Sequence, residues 1–174
     1  EAAMRDHVDD RSPRWDLLAY GEALLDLFPD VTGGYAGVSN FAVWPGGAPA
    51  NVAQGVASAG LAVAFLGKVG PDPLGDGLLT RMQATGVDTR YMVRSKVTPT
   101  GVTFVVRLDA GERHFFPYRH LAADKEIGPA DVPEAPFACA RIVHLGANCM
   151  ALPSSDAATA RVLELADTHG CTIS

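Results

Sequence analysis

Residues 45–70 read Pro45-Gly-Gly-Ala-Pro-Ala-Asn51-Val-Ala-Gln-Gly-Val-Ala-Ser-Ala-Gly60-Leu-Ala-Val-Ala-Phe-Leu-Gly-Lys-Val-Gly70, and two elements stand side by side in them. From Pro49 to Ala59 the chain is rich in alanine, with apolar residues at Val52, Ala53, Val56 and Ala57. Proline at the start and Gly60 just past the end are the usual bounds of a helix. Leu61 to Val69 is almost wholly apolar, the pattern of a strand buried on both faces. Working outward, Asp16 to Leu27 predicts one more buried strand, with Gly21 in its middle and Glu22 and Asp26 as the charges that need a reason. Pro73 to Thr85 predicts a second helix ending at Gly86. Strand, helix, strand, helix implies a mainly parallel sheet covered by helices on both faces, an α/β fold.

The rest of the chain departs from that alternation. Between Pro29 and Pro45 lie glycines at 33, 34 and 37, then Val38, Phe41, Val43 and Trp44 among small polar residues, which suits short strands on a surface flap. Thr100 to Tyr118 holds two β-rich runs around Asp109-Ala110-Gly111, a turn signal, and predicts a hairpin. Together these segments, about 30–45 and 98–120, form a small β-sheet lid. Arg141 to Gly146 returns to the buried-strand pattern. Ser154 to His169 predicts a helix with a serine cap, Asp156 in its first turn and Gly170 after its end. Thr172-Ile173-Ser174 begins another strand. Residues 1–14 are charged and nearly free of large apolar groups, so a flexible extension is expected there and one ordered unit over 15–174.

Composition narrows the function. The 174 residues are 48% hydrophobic and 20% charged, enough for a core that removes roughly 70% of the unfolded surface from water. Fourteen basic against twenty acidic residues give a net charge of -6, which offers no general attraction for nucleic acid or an anionic membrane. No stretch is long and apolar enough to span a bilayer, and a soluble, cytoplasmic protein is expected. Cys139, Cys149 and Cys171 are odd in number and lack metal-ligand spacing, so they read as reduced, mostly buried thiols. His114, His120 and His144 have no partner pattern of a metal or nucleophile site, and no metal site is expected in this chain.

The chemistry concentrates at Gly46, Gly47 and Asn51. Two adjacent glycines before a helix allow close backbone approach, the helix start has unpaired N–H groups, and Asn51 adds an amide. A polyhydroxylated or anionic ligand would fit, and so would a tight strand-to-helix turn with no ligand. Gly67-Lys68 is not a Walker A loop, because the glycine spacing is missing.

Five ordered segments carry a resemblance: Gly-Glu-Ala-Leu-Leu-Asp (21–26), Gly-Gly-Ala-Pro-Ala-Asn-Val-Ala (46–53), Phe-Leu-Gly-Lys-Val-Gly-Pro-Asp-Pro-Leu-Gly (65–75), Asp-Ala-Gly-Glu-Arg-His-Phe-Phe-Pro-Tyr-Arg (109–119) and Val-His-Leu-Gly (143–146). From Leu17 onward the chain resembles the ribokinase-like carbohydrate kinases, the PfkB family, and most closely their fructokinase branch. The resemblance implies ATP-dependent phosphorylation of a sugar hydroxyl, with Mg2+, and a sugar bound between the α/β body and the lid. It assigns Asp26 to sugar hydroxyls, Gly46, Gly47 and Asn51 to the sugar-contacting loop and helix start, and Arg119, with Tyr118 before it, to the lid side of the pocket. A carboxylate that accepts two hydroxyls discriminates epimers, since the wrong one leaves it unpaired.

The family's Asp-Thr-x-Gly-Ala-Gly-Asp motif, with its anion-hole glycines and base, does not occur in these residues. The resemblance therefore covers the N-terminal, sugar-binding half, without the C-terminal half, and the chain alone is expected to be inactive because positioning and charge stabilisation carry phosphoryl transfer. A 2-keto-3-deoxygluconate kinase and a non-catalytic kinase-like binding or scaffolding protein remain the alternatives. A homodimer through the lid is expected, since a small sheet with an apolar face is marginal alone.

Overall fold

The computed structural model describes residues 15–108, 111–150 and 152–174. The proposed extension over 1–14 and the hairpin tip at Asp109-Ala110 fall outside the described residues. In chain order the elements are β1 (Trp15–Tyr20), β2 (Leu24–Pro29), β3 (Phe41–Gly46), α1 (Ala48–Ser58), β4 (Val63–Val69), α2 (Pro73–Ala84), β5 (Asp88–Arg94), β6 (Val102–Arg107), β7 (Arg113–Tyr118), β8 (Ala140–Leu145), α3 (Pro153–Thr168) and β9 (Thr172–Ile173).

The body is a five-stranded sheet in the order β5-β4-β1-β8-β9, with every pairing parallel. Its central strand shows why it is buried on both sides. Leu18 and Tyr20 enter one core with Leu66, Val143, Val162 and Ala166, on the α3 side. Leu17 and Ala19 enter the other with Ala50, Ala53, Leu78 and Met82, on the α1 and α2 side. Side chains alternate along a strand, so an apolar residue at every position is what a two-sided layer requires.

Asp16 to Leu27 is not one strand. β1 stops at Tyr20 and β2 begins at Leu24 in a different sheet. The break falls at Gly21, whose φ of 144° and close neighbours, Pro49 Cγ and Cys149 Sγ at 2.7 Å from any added Cβ, exclude a side chain. An apolar run interrupted at this point only by Gly21 and Glu22 hid this change of sheet.

The lid is a four-stranded sheet, β3-β2-β6-β7, in which β2 and β6 run parallel and the outer pairs antiparallel. It gains β2, whereas residues 30–40 form no strand and are gathered by Asp30, whose carboxylate accepts from the Ser39 and Asn40 N–H groups. β5 was not foreseen: Asp88, Arg90 and Arg94 disguise an edge strand that is only half-buried. α3 begins at Pro153, one residue before the expected serine cap. Ser154 does not cap it, and Ser155 Oγ instead accepts from Leu152 N–H. Of the free thiols only Cys149 is buried; Cys139 and Cys171 are half-buried. Among the described residues no helix is long and apolar enough to cross a membrane.

Candidate functional site

The parallel order places the site. From β1 the sheet grows one way to β4 and the other way to β8, so a crevice opens at the carboxyl ends of β1 and β8, the usual ligand position in such sheets. Glu22 follows β1 and Asn148 follows β8. Glu22 is buried, and its Oε1 accepts from the Asn148 amide and from Ala48 N–H, each at 3.2 Å. One carboxylate thus ties the β8 loop to the start of α1.

That contact changes the reading of the glycine turn. Gly47 caps α1 with φ 98°, and a Cβ there would lie 2.3 Å from the Glu22 carbonyl oxygen. With the Glu22 carboxylate already at the first helical N–H, a second anion at this helix start would be repelled. Of the two ligand chemistries expected here, the polyhydroxylated one suits this helix start better than the anionic one. Gly46 is needed for a different reason: an added Cβ would lie 2.5 Å from Asp26 Oδ2, so the carboxylate rests directly over the glycine.

Asp26 lies mid-strand in β2, within the lid sheet, rather than past the end of a body strand. Its register partners are Trp44 and Thr103, and paired residues share a sheet face. Asp26, Phe28, Trp44, Pro45 and Asn51, with Arg107 and Arg113, line a cavity of about 290 Å3. Asp26 and Asn51 therefore meet as expected, with Gly46 beneath Asp26. Burial pushes the Asp26 carboxyl up from its ordinary pKa, and the Arg119 charge pulls it partly back.

Arg119 follows β7 and lines a neighbouring cavity of about 280 Å3 with Thr103, Phe115, Pro117, Lys125 and Asn148. It is held from behind by a buried ion pair, Nη2 to Asp124 Oδ2 at 2.6 Å, with side-chain exposures of 10% and 1%. Burial pushes the Asp124 carboxyl up, Arg119 opposes this, and Glu22 adds to it. Asp26 thus belongs to the lid sheet, and Arg119, which the resemblance assigns to the lid side, follows β7 and is paired with Asp124.

Tyr118 is not brought to this group. Thr103 pairs with Pro117 while Val102 pairs with Tyr118, so Tyr118 projects from the opposite face of the sheet from Asp26. There it packs edge-on to Phe104 at 5.3 Å, in a cluster that includes Tyr35, Phe41 and Phe116. Phe115, by contrast, lies on the Asp26 face.

Sequence reading left out Thr103, Asp124 and Asn148 and marked Glu22 only as an oddity. Asn148 had a usable signal, a polar residue just past the carboxyl end of a buried strand. Asp124 had a weaker one, a lone acid following Leu121-Ala-Ala123.

The described residues do not fit ATP or Mg2+. No three His, Cys, Asp or Glu side chains among them come together as a metal site. The starts of α1 and α2 each hold a carboxylate, Glu22 at Ala48 N–H and Asp72 at Gly75 N–H, whose charge disfavours a phosphate there.

A parallel α/β body with a β lid, and one cavity lined by the Asp26 carboxylate and the Asn51 amide beside a glycine turn, defines a class of two-sheet α/β proteins. The comparisons with known proteins are specific about which. The model of the pfkB family carbohydrate kinases matches residues 15–174, and the chain belongs to that family. It is 33% identical over 159 residues to fructokinase-2 of Solanum lycopersicum, covering 91% of this chain and 48% of that protein. Fructokinase-1 of Oryza sativa subsp. japonica is 34% identical over 159 residues, 91% of this chain and 49% of its own. Among solved structures, fructokinase from Xylella fastidiosa matches with a TM-score of 0.82 and 36% identity, over 90% of this chain and 48% of that one. The same enzyme with bound ATP matches with a TM-score of 0.82 and 34% identity, over 91% of this chain and 50% of that one. The fold is ribokinase-like, and the chain spans about half the length of the curated relatives it matches.

Proposed function

We propose that these residues form the sugar-binding part of a cytoplasmic, ATP- and Mg2+-dependent carbohydrate kinase that phosphorylates a hydroxyl of a ketose such as fructose. The observation that carries the reading is the Asp26 carboxylate lying over Gly46, in one cavity with Asn51: an acceptor for two hydroxyls and an amide that can donate and accept, on a floor with no side chain. Family membership and the fructokinase names of the relatives support the substrate class. Within this chain the work is binding and orientation. Asp26 and Asn51 fix the hydroxyls, Arg119 supplies positive charge beside them, and the lid shields the sugar from water.

A sugar acid is the second reading, favoured by Arg119, a buried guanidinium on a cavity wall that can pair with a carboxylate. The exposed aromatic face at Tyr35, Phe41, Phe116 and Tyr118 supports a homodimer through the lid.

The test is ATP consumption by the complete protein, with magnesium, on fructose, other neutral hexoses and 2-keto-3-deoxygluconate. Turnover of fructose well above the others supports the reading, preference for the acid moves it to the second, and binding without turnover of any sugar refutes the enzyme and leaves a binding protein.

A further inference from the structure

Trp44 is the least economical residue of the cavity. It sits on β3 in register with Asp26, on the same sheet face, and lines the cavity that Asp26 and Asn51 share. Its indole is nevertheless 60% exposed, whereas Trp15 at the start of β1 is 7% exposed. An exposed indole leaves a large apolar area in water, and one beside a carboxylate and an amide is placed for a ligand that is polar at its edge and apolar on its face. Carbohydrates have that form. Their hydroxyls radiate outward, and one ring face can present a patch of C–H bonds whose slightly positive hydrogens are attracted to the negative face of an aromatic ring.

We infer that Trp44 is a stacking platform for the substrate, so that the ring is held at its hydroxyls by Asp26 and Asn51 and across its C–H face by the indole. The inference rests on the sugar-kinase reading and sharpens it, because a stacking platform selects by shape. A sugar with an equatorial pattern lies flat on the indole, whereas an axial hydroxyl on the facing side is pushed off it. The edge position of β3 in the lid sheet gives the ring room to settle onto the ligand, and its other side borders a second cavity, with Gln54, Arg81 and Thr85. The indole N–H remains free to donate to a hydroxyl at the rim.

The experiment is a titration of the complete protein with fructose, followed by intrinsic fluorescence, together with KM values for sugar and ATP, in wild type, Trp44→Phe and Trp44→Ala. A sugar-dependent change in emission that Trp44→Phe removes is expected. Trp44→Ala should raise the sugar KM roughly tenfold with the ATP KM unchanged, and Trp44→Phe, which keeps a ring face, should restore most of the loss. Thermal midpoints of the variants, expected to match wild type for so exposed a side chain, separate this from unfolding. Normal sugar KM in Trp44→Ala while fructose is phosphorylated would overturn the platform and leave the kinase reading intact. An emission change that follows protein concentration instead of sugar would overturn it in favour of a contact between copies. No binding and no turnover of any sugar would remove both readings together.

Discussion

The two sheets of this molecule are built on opposite principles. In the body, β4 is buried at every position except Lys68, and β1 at every position except Asp16. In the lid, every residue of β7 and the first four of β3 are exposed. Burial on both faces fixes register and rigidity, because a slip of one residue would move each side chain into the wrong layer. A sheet with one face open beside the crevice and the other bearing exposed aromatics keeps its side chains accessible. The difference teaches where to look for function: the body supplies the crevice and the lid supplies Asp26, Thr103 and Trp44.

The comparison predicts unequal consequences for equal truncations. Phe65→Ala, in the body core at 0% exposure, should cost about 3–5 kcal/mol, the usual range for a buried phenylalanine. Phe116→Ala, half open on the lid, should cost about 1 kcal/mol, chiefly its edge contact with Tyr35. Urea unfolding of the complete protein reads both, and equal losses would mean that the lid is as tightly specified as the body.

Glycines sharpen the contrast within one helix. Gly47→Ala forces a side chain onto φ 98° and against the Glu22 carbonyl, and should cost about 1–3 kcal/mol from strain alone. Gly55→Ala, in the interior of α1 with open space around it, should gain about 0.5–1 kcal/mol through helix propensity. A Gly47→Ala variant as stable as wild type would show that the turn at Gly47 is not constrained as described.

The smallest effect concerns Asp72, where the loop before α2 meets the entry to the lid. Burial raises its pKa, but hydrogen bonds from Thr100 N–H, Gly75 N–H, the Thr100 hydroxyl and Leu74 N–H outweigh it and hold it below the ordinary value. A carboxyl lowered in the folded state contributes stability above the unfolded pKa, about 4, and loses it as pH falls through the folded value. The stability gap between wild type and Asp72→Asn should be constant near neutrality and close under acid. A gap that stayed the same at pH 2 would rule out the charge as its source.

Much of this was legible because burial writes itself into sequence. The apolar runs of β4 and β8 and the proline-to-glycine span of α1 are direct consequences of two-sided packing and of helix ends. What was hidden follows from the same physics. The passage from β1 to β2 is apolar on both sides, so only Gly21 and Glu22 mark the change of sheet. β5 is an edge strand, whose charges water can reach. Asp26 and Asn51 were legible as neighbours through the glycine turn between them. The buried pair of Asp124 with Arg119 was not, since it depends on a loop folding back beneath the lid, which no local pattern encodes. Tyr118 lies away from Asp26 for a simpler reason: adjacent residues on a strand face opposite ways, and Pro117, not Tyr118, shares the face of Thr103 and Asp26.

The central claim is that the sugar is held at Asp26, and its most direct test is the affinity of the complete protein for fructose, by calorimetry, in wild type and Asp26→Ala. Loss of a charged hydrogen-bonding group should weaken sugar binding roughly ten- to a hundredfold, with ATP affinity and thermal midpoint little changed. Arg119→Ala is the informative companion, since it also strands Asp124 in the interior and should lower stability, which Arg119→Ala combined with Asp124→Asn should recover in part. Unaltered fructose affinity in Asp26→Ala, in a protein that still phosphorylates fructose, would contradict the account and put the sugar elsewhere.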